Sequence, residues 1–312
     1  MPQNPTLLVL GGSGQLGHAL TLLWQNRSDV VFAARTKTST KHTLTLDLSD
    51  KKSTVQLISE LKPQLVVNTT AYTAVDKAED EPQIAQQMNA EIPAMIAEEC
   101  RKFGAWFLHF STDYVFDGSG NEPLTETSTN LFPLGAYGKS KLEGEKLIAQ
   151  TGARFSILRT SWVFSHHGQN FMKTMLKLGA NREELKVVAD QWGSPTSAHF
   201  LANLTDQIAS LIANNRTDEM HGIFHASCGG VTNWHAFATE IFRQAKAARC
   251  PLAIKSVIPI QAREYPTKAL RPYNSRLDCR KLQNALNIPP GKWPHWELEL
   301  AYELGKFVTA AN

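Results

Sequence analysis

The chain has 312 residues, of which 42% are hydrophobic and 20% charged, and a net charge of +3. That balance is ordinary for a globular protein with room for a large core, and it is too mild to argue for nucleic acid. No apolar stretch is long enough to span a bilayer. The cysteines, Cys100, Cys228, Cys250 and Cys279, are widely spaced and form no C-x-x-C pair, so reduced thiols are expected. The opening MPQNPTLLVLGGSG has neither the basic start nor the apolar length of a signal peptide, and a cytoplasmic protein is expected.

In chain order, TLLVLGG (6–12) reads as a buried strand, QLGHALTLLWQ (15–25) as a helix and DVVFAA (29–34) as a second strand. STVQLISELK (53–62) is helical, PQLVVNTTA (63–71) is a strand, and residues 82–104 form a long helix that Pro93 is expected to kink. AWFLHFST (105–112) is a strand, GAYGKSKLEGEKLIAQ a helix, and ARFSILRTSW (153–162) a strand. This alternation predicts an α/β fold: a Rossmann-type doubly wound parallel sheet, covered on both faces, with ligands at the carboxyl ends of its strands. Beyond residue 162 the rhythm loosens. Helical stretches (171–180, 197–215, 234–248) and a short strand (222–227) are followed by prolines at 251, 259, 266, 272, 289, 290 and 294. The reading is a dinucleotide-binding domain over 1–162, rejoined by segments from about 185–215, with the remainder of 163–312 mainly a smaller α/β substrate lobe.

Gly11, Gly14 and Gly17 form G-x-x-G-x-x-G between the first strand and the first helix. Glycines there permit a tight turn and close approach of a diphosphate, and the helix start supplies N–H donors. The second strand ends FAARTK, with Arg35 where an NAD-type fold places an acid. Arg35, with Lys37, suits a 2′-phosphate, so NADPH is favoured and NADH is the alternative. Asp47, in TLDLSD, stands either to accept from an adenine amine or to cap the next turn.

The strand 105–112 ends in STDYVFDG, which puts the Ser111 and Thr112 hydroxyls at a carboxyl end. YGKSK then places Tyr137 and Lys141 four apart on one helical face. Ketone reduction needs a hydride to carbon and a proton to oxygen. A tyrosine, with a free pKa of about 10, starts protonated, and a neighbouring ammonium eases release of that proton.

Together the glycine loop, STDYVFDG and YGKSK resemble the extended short-chain dehydrogenase/reductases. NTTAYTAVDKAEDEP, RTSWVF, NFMKTML, ADQWGSPT and RPYNSRL are similar to the dTDP-4-dehydrorhamnose reductase family, over nearly the whole chain. The resemblance implies NADPH-dependent reduction of dTDP-4-dehydro-6-deoxy-L-mannose to dTDP-L-rhamnose, for cell-surface polysaccharide such as lipopolysaccharide O-antigen. It implies Tyr137 as acid, Lys141 on the nicotinamide ribose and Thr112, rather than Ser111, on the carbonyl oxygen. It places Gly14, Gln15 and Leu16 at the cofactor diphosphate, Asp47 and Leu48 at the adenine, and Ala71, Tyr72 and Thr73 along the cofactor. Asp113 and Trp162 match substrate contacts, although Trp162 reads equally as a core residue. The stretch 263–281 is locally basic, and either Arg271 or Arg276 is expected on the substrate diphosphate.

Some family members hold Mg2+ at a dimer contact with acidic side chains. The matching positions here are Ala19, His199 and Lys306. None is an acid, which counts against the metal and against that mode of homodimer. A different nucleotide-sugar reductase or an epimerase is an alternative, as is a non-catalytic regulatory subunit like that of methionine adenosyltransferase. Tyr114 follows Asp113 where the related dehydratases carry glutamate, which counts against dehydration.

Overall fold

The apolar runs of the first half build one sheet. The computed structural model describes residues 7–36, 43–216, 218–289 and 291–311. Its main strands are β1 (Leu7–Leu10), β2 (Val30–Ala34), β3 (Thr43–Thr45), β4 (Leu65–Asn68), β5 (Trp106–Thr112), β6 (Arg154–Thr160) and β7 (Gly222–His225). They lie in the order β7-β6-β5-β4-β1-β2-β3, and every neighbouring pair is parallel. All residues of β1, β2 and β4 are buried. Strands covered on both faces need no polar alternation, which is why these segments read as continuous apolar runs. The chain runs outward from β1 to β3 and then crosses to β4, so the topological switch point lies between β1 and β4.

The covering helices are α1 (Gln15–Leu23), α2 (Lys51–Leu61), α3 (Ile92–Phe103), α4 (Ala136–Gln150) and α5 (Ala198–Ala213). Leu7, Val9, Val67 and Leu108 share a core with Leu16 and Leu20 of α1 and with Leu204 and Ile208 of α5. Leu8, Leu10, Val66 and Phe107 meet Ile58 of α2, Ile96 of α3 and Ile148 of α4 on the other face. Each fully buried Leu or Ile contributes about 1.5–3 kcal/mol. Gly222–His225, which the sequence reading leaves among the later segments, is the edge strand beside β6.

The long helix around Pro93 is not simply kinked. Helix Pro82–Gln86 passes through a π-turn, Gln87–Glu91, before α3 begins. Pro93 has no N–H for the Asn89 carbonyl, and the wider turn takes up the mismatch in the ladder. Asn89 is fully buried in that turn.

The later segments form short sheets. Glu184–Val188 pairs in parallel with Ser256–Ile260, and Trp192–Gly193 lies between Thr232–Asn233 and Asn274–Ser275. Met172, Phe237 and Ile241 of this region belong to the same apolar cluster as α1 and α5. The irregular part therefore shares a core with one face of the sheet.

Candidate active site

At the carboxyl end of β5, Thr112 is buried and registered against Thr160 of β6. Its hydroxyl donates to Asp113 Oδ1 at 3.0 Å and accepts from the Tyr114 N–H at 3.2 Å, capping the turn Asp113–Val115. Helix α4 has Gly135 at its N-cap and no cap from its own side chains. Glu79 supplies one from a distance, its Oε1 accepting from the Ala136 N–H at 2.7 Å. Tyr137 follows immediately, and Lys141 lies one turn on. The helix packs so closely on the Asp113–Val115 turn that a Cβ at Gly138 would sit 2.2 Å from the Tyr114 carbonyl oxygen. The rings of Tyr114 and Tyr137 meet edge to face, with centroids 5.5 Å apart.

Burial pushes the Tyr137 hydroxyl up to about 12, against the opposing pull of the Thr112 hydroxyl; it holds its proton at neutral pH. Burial pulls Lys141 down to about 8, and Glu145 opposes it. Lys141 Nζ donates to the Phe110 carbonyl at 2.6 Å and lies 3.1 Å from His109 Nε2. Asp113 is pushed up to about 6 by burial, with the Ser275 and Thr112 hydroxyls opposing. Among the described residues, Ser111 Oγ and Thr160 Oγ1 are buried without a hydrogen-bond partner. Such atoms at strand ends fit a ligand rich in hydroxyls.

The glycine loop fits a diphosphate. Gly14 is the N-cap of α1 with no side-chain cap, which leaves the first-turn N–H groups to face outward. A Cβ on Gly14 would meet nothing nearer than 3.6 Å, whereas one on Gly17 would fall 2.0 Å from the Gly11 carbonyl oxygen. Gln15 Oε1 accepts from Asn170 Nδ2 at 2.9 Å, tying the loop to the later segments. The Leu16 and Leu48 side chains are buried in the two cores, so only their backbone is available to a ligand. Arg35 is exposed just past β2, and Lys37 lies outside the described residues. Asp47 Oδ1 accepts from the Ser49 N–H at 2.9 Å and the Ser49 hydroxyl at 2.8 Å, while Asp50 caps α2. Ala71, Tyr72 and Thr73 leave the end of β4. The Asn89 side chain holds both backbone groups of Tyr72, at 2.8 and 3.1 Å, and the Tyr72 hydroxyl donates to Glu81 at 2.7 Å.

The two candidate arginines point to different neighbours. Arg271 Nη2 donates to Asp76 Oδ2 at 2.6 Å, and Tyr114 lies beside it. Arg276 donates to the Asn121 carbonyl and lies 5.5 Å over the Trp192 ring. Trp162 adopts φ 49°, a left-handed conformation that costs a bulky residue strain, and its ring stacks on Trp234 at 3.6 Å. One face of that ring is therefore already used. His199 bonds Glu299 at 3.0 Å and stacks on Tyr302, over which Lys306 also lies. Among the described residues no group of three or more His, Cys, Asp or Glu side chains is placed to hold a metal, and no helix is long and apolar enough to cross a membrane.

Sequence reasoning missed Asn68, Glu79, Asn89, His109, Glu145 and Arg159. Arg159 and Glu145 are buried and bidentate, at 2.9 and 2.6 Å, one turn beyond Lys141. The only available signal was a polar residue inside an apolar run, as for Asn68, His109 and Arg159.

A tyrosine, a lysine and a hydroxyl donor meeting beside the switch point of a parallel sheet, next to a glycine cradle, is the arrangement of an extended short-chain dehydrogenase/reductase. Comparison with known proteins narrows the class. The family model described as the RmlD substrate binding domain matches residues 5–305. The dTDP-4-dehydrorhamnose reductase of Shigella flexneri is 40% identical over 84% of this chain and 86% of its own length. That of Burkholderia thailandensis is 38% identical over 92% and 95%. The solved structure of the Bacillus anthracis reductase, in complex with NADP, superposes with a TM-score of 0.85 at 30% identity, covering 97% of this chain and all of that one. The chain belongs to the dTDP-4-dehydrorhamnose reductase family.

Proposed function

We propose that the chain reduces the 4-keto group of dTDP-4-dehydro-6-deoxy-L-mannose to dTDP-L-rhamnose, with NADPH as reductant. The observation that carries this reading is the meeting of half-buried Tyr137 with buried Thr112, one helical turn from buried Lys141, beside the cradle of Gly11, Gly14, Gln15 and Gly17. Bound NADPH would supply the hydride. The cradle and the backbone of Leu16 bind the diphosphate, Arg35 takes the 2′-phosphate, Asp47 and Leu48 border the adenine, and Ala71, Tyr72 and Thr73 line the path between. Thr112 turns its one hydroxyl proton from Asp113 Oδ1 to the 4-oxygen and steadies its developing charge. Tyr137 delivers its proton there, and Lys141 stabilises the phenolate and holds the ribose.

Asp113 and Trp162 orient the sugar. Arg271 and Arg276 stand on the substrate side, where a diphosphate calls for cations. On this reading residues 1–162, with the returning segment near 185–215, bind cofactor, and the rest of 163–312 binds substrate. A cytoplasmic homodimer, formed without Mg2+, completes the proposal.

The test is loss of NADPH absorbance with freshly made keto sugar, using wild type and Tyr137→Phe. Rapid oxidation by wild type, reduced about 10²–10⁴-fold in the variant with NADPH affinity retained, is expected. No oxidation by wild type despite tight NADPH binding would redirect the assignment to another nucleotide sugar.

A further inference from the structure

Lys141 is 2% exposed, and among the described residues only Glu145 acts on it as an acid. Glu145, one turn on, already has both oxygens on Arg159. Tyr137, one turn back, faces Thr112, and Asp113 acts on Tyr137 rather than on the lysine. The direct partners of Nζ are the Phe110 carbonyl and His109 Nε2. The protonation of His109 therefore matters, and its neighbours fix it.

Asn68 and His109 are register partners on β4 and β5. Asn68 Oδ1 accepts from the Thr70 N–H at 3.0 Å and the Thr70 hydroxyl at 2.6 Å. A backbone N–H can only donate, so the amide orientation is set and Nδ2 must be a donor. That Nδ2 lies 3.2 Å from His109 Nδ1. A nitrogen that accepts carries no proton. Burial holds His109 neutral, well below its ordinary pKa; with Nδ1 accepting from Asn68, its single proton would sit on Nε2, facing Lys141. An N–H opposite an ammonium is repulsive, whereas opposite an amine lone pair it is a hydrogen bond.

We propose that His109, locked by Asn68 with its proton on Nε2, is a positioning residue that favours Lys141 as the free amine. Its consequence for turnover rests on the reductase reading. Once Tyr137 has given its proton to the substrate oxygen, the phenolate must be reprotonated. The Lys141 ammonium passes a proton to it: one N–H bond breaks, one O–H bond forms, and the amine that His109 favours remains. Water returns the proton to the lysine.

The first test is ¹⁵N NMR of the cofactor-free full chain with labelled histidine. His109 is expected with a protonated Nε2 and a bare Nδ1. A proton on Nδ1, donated instead to the Asn68 carbonyl that also faces the ring, would overturn the proposal. This readout needs no substrate, so it stands or falls separately from the assigned reaction. The second test is the pH profile of kcat. Asn68→Asp would accept a hydrogen bond from Nδ1–H, moving the ring proton onto Nδ1 and turning the Nε2 lone pair toward Lys141. The alkaline limb should then move up by roughly one unit. Asn68→Ala, which adds no charge, should move it the same way by less. An unmoved limb in both variants would sink the idea even if the wild-type tautomer is as expected.

Discussion

Asp76 and Arg271, 195 residues apart in sequence, meet through a 2.6 Å contact from Nη2 to Oδ2. The other Asp76 oxygen accepts from the Ala269 N–H at 3.1 Å, and Lys268 pairs with Asp80. The segment TAVDKAED thus fastens the loop 268–271 beside Tyr114, while its Glu79 caps the helix that carries Tyr137. One short stretch joins the loop 268–271 to the helix that carries Tyr137 and Lys141.

Loosening that fastening should weaken substrate binding without touching the cofactor. Arg271→Ala is expected to raise substrate KM about tenfold, and Asp76→Ala to do nearly as much, with NADPH affinity unchanged in both. The double variant should be little worse than Arg271→Ala, a coupling of about 1 kcal/mol. Steady-state kinetics on the three variants decides it. An Asp76→Ala variant with wild-type KM would mean that Arg271 acts on substrate independently of its partner.

The buried pair behind Lys141 is a second point of leverage. Arg159 is 1% exposed and depends on Glu145 for neutralisation. Glu145→Gln leaves that guanidinium uncompensated and should cost about 3–5 kcal/mol in stability. It also removes the one charge holding Lys141 up, so the alkaline limb of kcat should move down. Denaturant unfolding and a pH–rate profile check the two effects separately.

Asp113 gives a pH signature in stability. Its folded pKa of about 6 lies above the ordinary 3.8, so the folded state holds this proton more tightly than the unfolded chain. Its contribution is fully present below about 4 and is lost as pH rises through about 6. Asp113→Asn removes that loss. The variant should match wild type in acid and exceed it by about 3 kcal/mol above the transition. Unfolding free energies measured across this range test it, and a pH-independent difference would contradict it.

At the cofactor cradle, Gly17→Ala would drive a methyl into the Gly11 carbonyl oxygen. Because both partners are backbone, α1 must shift. NADPH affinity should fall at least tenfold, with about 1–3 kcal/mol lost in stability. Arg35→Ala should leave stability unchanged, because the side chain is exposed, and weaken NADPH several-fold more than NADH. Titrations with both cofactors separate the two variants.

Much of the site lies in local spacing. Gly11, Gly14 and Gly17 sit where a strand hands over to a helix, and Tyr137 and Lys141 share a face because an α-helix repeats every 3.6 residues. Those relations need no tertiary contact, so the amino-acid order alone determined the glycine loop, the tyrosine–lysine pair and the parallel sheet they imply. Other decisions waited for the fold. Parallel register between β4 and β5 put Asn68 beside His109, and so set what faces Lys141. The π-turn forced near Pro93 put Asn89 on the Tyr72 backbone. A helix with no cap of its own found Glu79, 57 residues upstream. These groups are distant in sequence and carry no periodic signal. Burial alone makes them pair, because a polar group removed from water must find its partner wherever the packed chain brings one.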